Sequence, residues 1–324
     1  MSDKFIKYYA IGLALLIAAG GFILYKALPD PIKPVIVKKD QYLWYPPGLN
    51  TLLNNPEAEL ILYGKELIRN TSAYLGPKGS VARISNGMNC GNCHLDGGTR
   101  MNGNSFAAVA ANYPKYRNRS GRVESIEFRI NECLARSLNG EKLDSLNREM
   151  RAMVAYLKWL GKDVPHNIIP KGSGVPKIPI LSRSTDPVLG RLVFLNKCTK
   201  CHGADGQGER NPGTGGFTYP PLWGNDSYNV SAGLYRISSL AAFAKYNMPY
   251  TTVPENPQLS DQEAWDVAAF ICSQPRPVKF FKEDWPSIET KPFDHPYGPY
   301  ADTFSELQHK YGPFAMMKNK KQGN

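Results

Sequence analysis

The chain lacks a Lys/Arg-rich tract and any nucleic-acid-binding motif, which argues against DNA or RNA as a partner. Acidic residues are scarce beside basic ones, 28 against 39, giving a formal charge of +11. Such an excess favours anionic substrates or acidic redox partners, beyond its effect on solubility. No cysteine lies near the N-terminus, so a lipid-anchored thioether is excluded there. No convincing A-x-A-like cleavage site precedes Pro29, which disfavours a removed signal peptide. Cysteine itself is sparse, with six in 324 residues.

What is present starts with that sparse cysteine. Four of the six thiols fall in two identical patterns, Cys90-Gly-Asn-Cys93-His94 and Cys198-Thr-Lys-Cys201-His202. Two thiols at this spacing bond to the two vinyl groups of a haem, and the histidine after them reaches the iron from the proximal side. Two C-x-x-C pairs can also cage one zinc ion. The wide separation of the pairs and the repeated trailing histidine favour two covalently bound haem c groups. Haem propionates then offset part of the positive charge.

Residues 8–25 form an uncharged, mostly apolar run, with Lys4 and Lys7 before it and Lys26 after. Its length fits an uncleaved membrane anchor better than the shorter core of a signal peptide. The leading lysines put the N-terminus in the cytoplasm and the remainder on the periplasmic side of a bacterial inner membrane, where c-type haems are attached. The expected organisation is an anchor (or signal peptide) over 1–28 and a Pro/Lys-rich tether over 29–41. A first cytochrome c-like domain covers 42–162, a Pro/Gly-rich linker 163–185, a second domain 186–274 and an extended tail 275–324. Each domain reads helix, pentad, loop region, helix. Leu60, Tyr63, Gly64 and Leu67 keep helical spacing before the first pentad, and Met150, Met153, Val154, Leu157 and Leu160 do so after it. In the second domain Ser260 and Glu263 form a capping box ahead of Trp265, Ala268, Ala269 and Cys272. Cys272 therefore lies on a packed stripe as a small buried residue. The fold class is mainly α: two class I cytochrome c-like domains, each with one covalent haem, behind an N-terminal transmembrane helix.

Distal ligands are the next question. Met248, in Asn-Met-Pro, suits the sixth ligand of the second haem, with Lys245 as a competitor in one redox state. No methionine sits at the matching offset in the first domain. Cys133 does, in RINECLARSLNG. A thiolate there would stabilise ferric iron and lower that haem's potential below its partner's. Arg129 and Arg136 flank Cys133 at helical spacing and favour its ionisation. Met150 and Met153 are rival ligands but fit core positions, and an inert buried Cys133 is the plain alternative. Arg100, Lys115, Arg117, Arg119, Arg122 and Arg129 crowd the stretch between His94 and Cys133. Either they are a solvated surface or they line an anion pocket over the first haem, since guanidinium forks suit small oxyanions. A cysteine-ligated haem beside such a pocket points to an anionic sulfur substrate. His166, His295 and His309 have no assigned role.

Several motifs taken together resemble the dihaem c-type thiosulfate dehydrogenases, which form tetrathionate. They are GKELIRNTSAYLG, NGMNCGNCHLDGGTR, YPKYRNRSGRV and RINECLARSLNG, then CTKCHGADGQGE, FTYPPLWGNDSYN, FAKYNMP and LSDQEAWDVAAFI, and the tail HPYGPYADTFSELQHKYGPF. The resemblance covers nearly all of residues 42–314. It implies oxidation of two thiosulfates to tetrathionate, or the reverse. Electrons would pass from a His94/Cys133-ligated haem to a His202/Met248-ligated haem and on to a small cytochrome c or a membrane oxidase or quinol complex. It implies Cys133, Arg119, Arg129 and Ser137 around the substrate, with Arg100 as a further candidate. Two departures stand out: Glu132 precedes Cys133 where the family pattern has glycine, and the anchor is not a general family feature. The reading from another class is a membrane-tethered electron carrier without catalysis. A third is an enzyme acting on sulfite or a polythionate.

Overall fold

Each half of the molecule is built on a pair of crossing helices that bury the apolar stripes legible in the sequence. The structure, a computed structural model, describes residues 42–322. The expected anchor and tether over 1–41 lie outside the described residues.

In the first half, α1 (Ala58–Arg69) buries Ile61, Gly64, Leu67 and Ile68. Next come a small antiparallel hairpin, β1 (Lys115–Arg117) and β2 (Arg122–Glu124), and then α2 (Ile126–Arg136). The Ser125 hydroxyl caps α2 by accepting from the Phe128 amide. The last element, α3 (Arg148–Leu160), buries Met150, Met153, Tyr156 and Leu157 against α1. The crossing point is Gly64: a β-carbon there would sit 2.0 Å from the Ala152 carbonyl oxygen, so only glycine permits this approach.

The second half repeats the device. α4 (Pro187–Lys197) starts at Asp186, whose carboxylate accepts from the amides of Val188 and Leu189. α5 (Ile237–Asn247) leads to Met248, and α6 (Asp261–Ser273) opens on the Ser260–Glu263 capping box. α4 crosses α6 at Gly190, where a β-carbon would meet the Asp266 carbonyl at 1.8 Å. Cys272 is buried in this second core, as its stripe position predicts. The architecture is thus mainly helical, with two short hairpins, β1–β2 and β3 (Glu209–Arg210) with β4 (Phe217–Tyr219). Among the described residues no helix is long and apolar enough to cross a membrane.

Two connecting segments differ from a loose-chain picture. The 163–185 stretch holds no helix or strand, yet it is fastened down: Ile178 is buried, and the Trp265 indole donates to the Pro179 carbonyl at 2.8 Å. The tail is not extended throughout. It contains α7 (Glu306–Tyr311), opened by a Ser305–Gln308 capping box, and α8 (Phe314–Gln322). Phe314 and Met317 complete the second core, because that core's helices alone leave an apolar face to cover. The tail also reaches back to the first half, where Asp284 takes a fork of hydrogen bonds from Arg136 at 2.7 and 2.8 Å.

Candidate functional site

Both proximal histidines are oriented in one way. The His94 Nδ1 donates to the Asn104 carbonyl at 2.6 Å, and the His202 Nδ1 donates to the Pro220 carbonyl at 2.8 Å. A proton fixed on Nδ1 leaves Nε2 as the lone-pair nitrogen that binds iron. The first pentad is a short turn, Cys90–Asn92, closed by reciprocal bonds between Asn89 and Asn92. The Thr71 hydroxyl anchors it by accepting from the Cys90 amide at 3.0 Å. Burial pushes the thiols up, Cys90 to about 11, Cys93 to about 12 and Cys198 to about 11. Neutral thiols suit addition across haem vinyl groups and not a thiolate cage. Among the described residues no group of three or more His, Cys, Asp and Glu converges to hold a metal ion.

The second site is a largely apolar cavity of about 330 Å³ lined by Cys198, Cys201, His202 and Met248. His202 is kept below its ordinary range by burial, so it is neutral as a ligand must be. Met248 directly follows α5, opposite the pentad. Cys93 and Leu95 of the first site line the same cavity, so the two pentads share a wall. Lys245 is otherwise engaged: its ammonium pairs with Asp261. It is not among the residues that line this cavity. A wider cleft beside Glu57, Arg151 and Lys158, about 440 Å³, holds none of the candidate residues.

On the distal side of the first pentad, α2 brings Cys133 to face His94. Burial alone would raise the Cys133 thiol, but the Arg129 charge and a hydrogen bond with His94 overcome it and bring it down to about 7. In return Cys133 holds Arg129 above its ordinary range. The charge at i−4 is therefore the effective one. Arg129 makes no hydrogen bond or ion pair with another side chain among the described residues, which leaves its fork available to a ligand.

The other sequence candidates separate into near and far. Arg119 stands at the turn between β1 and β2, with Nη2 donating to the Ser231 carbonyl at 2.9 Å and Nε 3.3 Å from Asp284. Burial, with Arg136 next, pulls Arg119 down to about 10. Ser137 follows α2, its amide bonded to the Cys133 carbonyl at 2.8 Å. Arg136 does not serve the thiol. Its guanidinium is saturated by Glu132 and Asp284 and lies on the Phe281 ring, 3.9 Å from the centroid. At i+3 its long side chain points off the shared face. Glu132 is correspondingly neutralised by Arg136, with Lys142 at 3.7 Å, so its carboxylate does not stand bare beside the pocket. Arg100 belongs to another place. Its Nε pairs with Asp96 at 2.9 Å, its Nη1 donates to the Tyr250 carbonyl at 2.6 Å, and it lies on the Tyr250 ring. Its bonds join the two halves, and it does not figure among the charges that act on Cys133. Met150 and Met153 are fully buried core.

Three residues near Cys133 escape sequence reasoning. Tyr113 lies close enough to Arg129, Arg117, Glu124 and Cys133 for their charges to act on its phenol, which burial raises. Glu124 is buried, with Oε1 accepting from the Ser120 hydroxyl at 2.8 Å and Oε2 without a partner. It pairs with Lys115 in the hairpin register, which three-residue strands do not announce in the sequence. Asp284 comes from the far tail and has no local signal.

Comparison with known proteins agrees with this geometry. The SoxA/TsdA cytochrome c domain matches residues 80–165, and the cytochrome c domain matches 188–275. A thiosulfate dehydrogenase of Psychrobacter arcticus is 40% identical over 206 residues, 63% of this chain and 61% of that one. One of Allochromatium vinosum is 37% identical over 72% of this chain and 84% of its own. One of Stutzerimonas stutzeri is 35% identical over 72% of each. The solved thiosulfate dehydrogenase (TsdBA) of Marichromatium purpuratum, in its as-isolated form, superposes with a TM-score of 0.67 at 31% identity. That match covers 76% of this chain and 52% of the solved one, so this chain spans about half the length of that relative. With two cytochrome c domains, each carrying a pentad fit for covalent haem c, the chain belongs to the thiosulfate dehydrogenase family, a family of dihaem oxidoreductases.

Proposed function

We propose that the protein joins two thiosulfate ions into tetrathionate, or runs the reverse reaction, at the hollow between Cys133 and Arg129. The observation that carries this reading is the placement of the Cys133 thiol, which faces the His94 ring and stands beside an arginine with no side-chain partner among the described residues. Thiosulfate dianions repel one another, so fixed cations are needed before a sulfur–sulfur bond forms. Arg129 and Arg119 supply them in a partly desolvated place. Haem c, when bound at each pentad, supplies an iron that takes one electron.

In this reading the Cys133 thiolate is the covalent nucleophile. Its sulfur bonds to the sulfane sulfur of one thiosulfate, a two-electron oxidation whose electrons the haems, when bound, would accept. The second thiosulfate attacks that same sulfane sulfur. The bond to Cys133 breaks, the thiolate leaves with the electron pair, and tetrathionate departs. Arg129 holds the sulfonate end, and Arg119 and Ser137 complete the pocket. Tyr113 and Glu124 bound it from the hairpin side. Met248 would join His202 in holding the haem bonded to Cys198 and Cys201, whose electrons would go on to a small cytochrome c or a membrane oxidase or quinol complex. Residues 8–25 are taken as an anchor that keeps the catalytic part on the periplasmic face of the inner membrane.

The test is anaerobic and optical. Thiosulfate should reduce the purified holoprotein, and tetrathionate should reoxidise it. Cys133→Gly should retain both haems yet lose the reduction by thiosulfate. A Cys133→Gly protein that turns over normally removes the catalytic reading and leaves a tethered electron carrier.

A further inference from the structure

A buried arginine without a counter-ion stands against a residue that lines the second pentad's cavity. Arg276, just past the C-terminus of α6, is 8% exposed. Its Nη2 donates to the Ile271 carbonyl at 2.7 Å, while Nε and Nη1 have no hydrogen-bond partner. Among the described residues no carboxylate lies within ion-pairing distance of it. Instead it is stacked on Tyr228 at 4.4 Å and faces Tyr235 at 4.7 Å. The Tyr228 hydroxyl is also buried, and Arg276 is the only polar side chain that reaches it among the described residues. The neighbouring acids do not supply a charge at neutral pH. Burial pushes Cys272 up to about 11 and Tyr235 to about 12, and drives Tyr228 higher still. An isolated guanidinium in such surroundings is costly unless an anion meets it.

The anion is identified by where these groups stand. Tyr228 and Ile271 both line the cavity that holds Cys198, Cys201, His202 and Met248. A haem c is tethered by its vinyl edge, and its two propionates project from the opposite edge. The first pentad presents Cys93, its tethered edge, to the same cavity, so its propionates point elsewhere. We propose that Arg276 and Tyr228 hold a propionate of the haem bonded to Cys198 and Cys201, and that this pair raises that haem's affinity for electrons. A fixed positive charge on the propionate favours the iron state with one more electron. The next residue, Asn229, reaches back from this cradle to the helix that carries Cys133. Its side chain donates to the Ala135 carbonyl at 2.9 Å, and its amide donates to the Arg136 carbonyl at 3.1 Å. One short loop thus serves the electron-exit site and grips the catalytic helix.

The experiment is a redox titration of the complete holoprotein, with the two haems followed by their separate optical signatures. In Arg276→Gln the midpoint of the haem at Cys198/Cys201 should fall by about 59 mV, a tenfold loss of electron affinity for one electron. Arg276→Lys should recover most of it, and the haem at Cys90/Cys93 should not move. An unchanged midpoint in Arg276→Gln, or a shift confined to the first haem, overturns the assignment. Tyr228→Phe removes one oxygen atom and guards against loss of maturation in the arginine variants. It should shift the propionate bending band of that haem in the resonance Raman spectrum, and an unshifted band also overturns the proposal. Neither readout depends on thiosulfate, so the catalytic reading stands or falls separately.

Discussion

Arg129 and Arg136 are one residue type at two helical offsets from the same thiol, yet they do different work. Arg129, at i−4, faces Cys133 with its fork unpaired and lowers the thiol against the opposing effect of burial. Arg136, at i+3, is locked between Glu132 and Asp284. Replacing Arg129 by Gln should therefore move the Cys133 thiol back up. The thiolate would then form only at higher pH, so the acid limb of the pH profile for thiosulfate-dependent reduction should shift to the alkaline side. The rate at neutral pH should drop about 10²-fold, the scale of losing one preorganised charge contact; stopped-flow reduction across pH checks both. Glu132→Gln makes the opposite kind of change. It leaves Arg136 half-paired in a buried place, at a cost of about 1–3 kcal/mol. Thermal unfolding should register that loss, and the Cys133 pH profile should move toward the acid side, because the Glu132 charge opposes the thiolate. The sequence showed that Cys133 and Arg129 belong together, because helical spacing is a local property. That Arg136 and Glu132 neutralise one another, with a tail carboxylate as third member, depends on side-chain direction and long-range packing that spacing does not encode.

Helices in the two halves are positioned by glycines that let backbones touch. Gly64 on α1 and Gly190 on α4 sit at equivalent crossings, with β-carbons forbidden by carbonyl oxygens at 2.0 and 1.8 Å. Alanine at either position forces the helices apart, and overpacking of this kind costs about 1–3 kcal/mol. Because the crossings lie in different cores, Gly64→Ala should loosen the Cys133 site and leave the second haem's spectrum unchanged. Gly190→Ala should do the reverse, as judged by separate thermal transitions of the two optical signatures. These helices were legible beforehand from apolar periodicity and from the Ser260–Glu263 box. The β1–β2 hairpin was not, since three-residue strands carry too little alternation to be seen. The tail helix α7 carried a readable signal in its Ser-x-x-Gln start. Proline and aromatic content around it masked that signal.

At the scale of the whole molecule, electron transfer requires the two halves to keep a fixed distance, and the Asp96–Arg100–Tyr250 contact is one place where they are fastened. Arg100 pairs with Asp96 at 2.9 Å and donates to the Tyr250 carbonyl at 2.6 Å, while the Tyr250 hydroxyl donates to Asp96. Nearby, Asn247 donates to the Asn102 carbonyl at 3.0 Å. Met248 lies between these two fasteners, so its loop is held from both sides. Burial raises the Asp96 carboxyl, but the bonds from Tyr250 and Arg100 more than reverse this and hold it below the ordinary carboxylate range. A depressed folded value means that the contact adds stability above the unfolded value, about 3.9. The contribution is lost as pH falls through the lower folded value. The charges are partly exposed, so the gain is small, within about 1 kcal/mol. Tyr250→Phe removes one bond from the carboxylate and lets its titration rise toward the ordinary range. Under the proposed ligation by Met248, the methionine–iron charge-transfer band should then fade at a higher pH than in the unaltered protein as the solution is acidified. An acid titration of that band, at equal haem content, checks the prediction. Coincident fading in both proteins would mean that the seam does not hold the methionine loop.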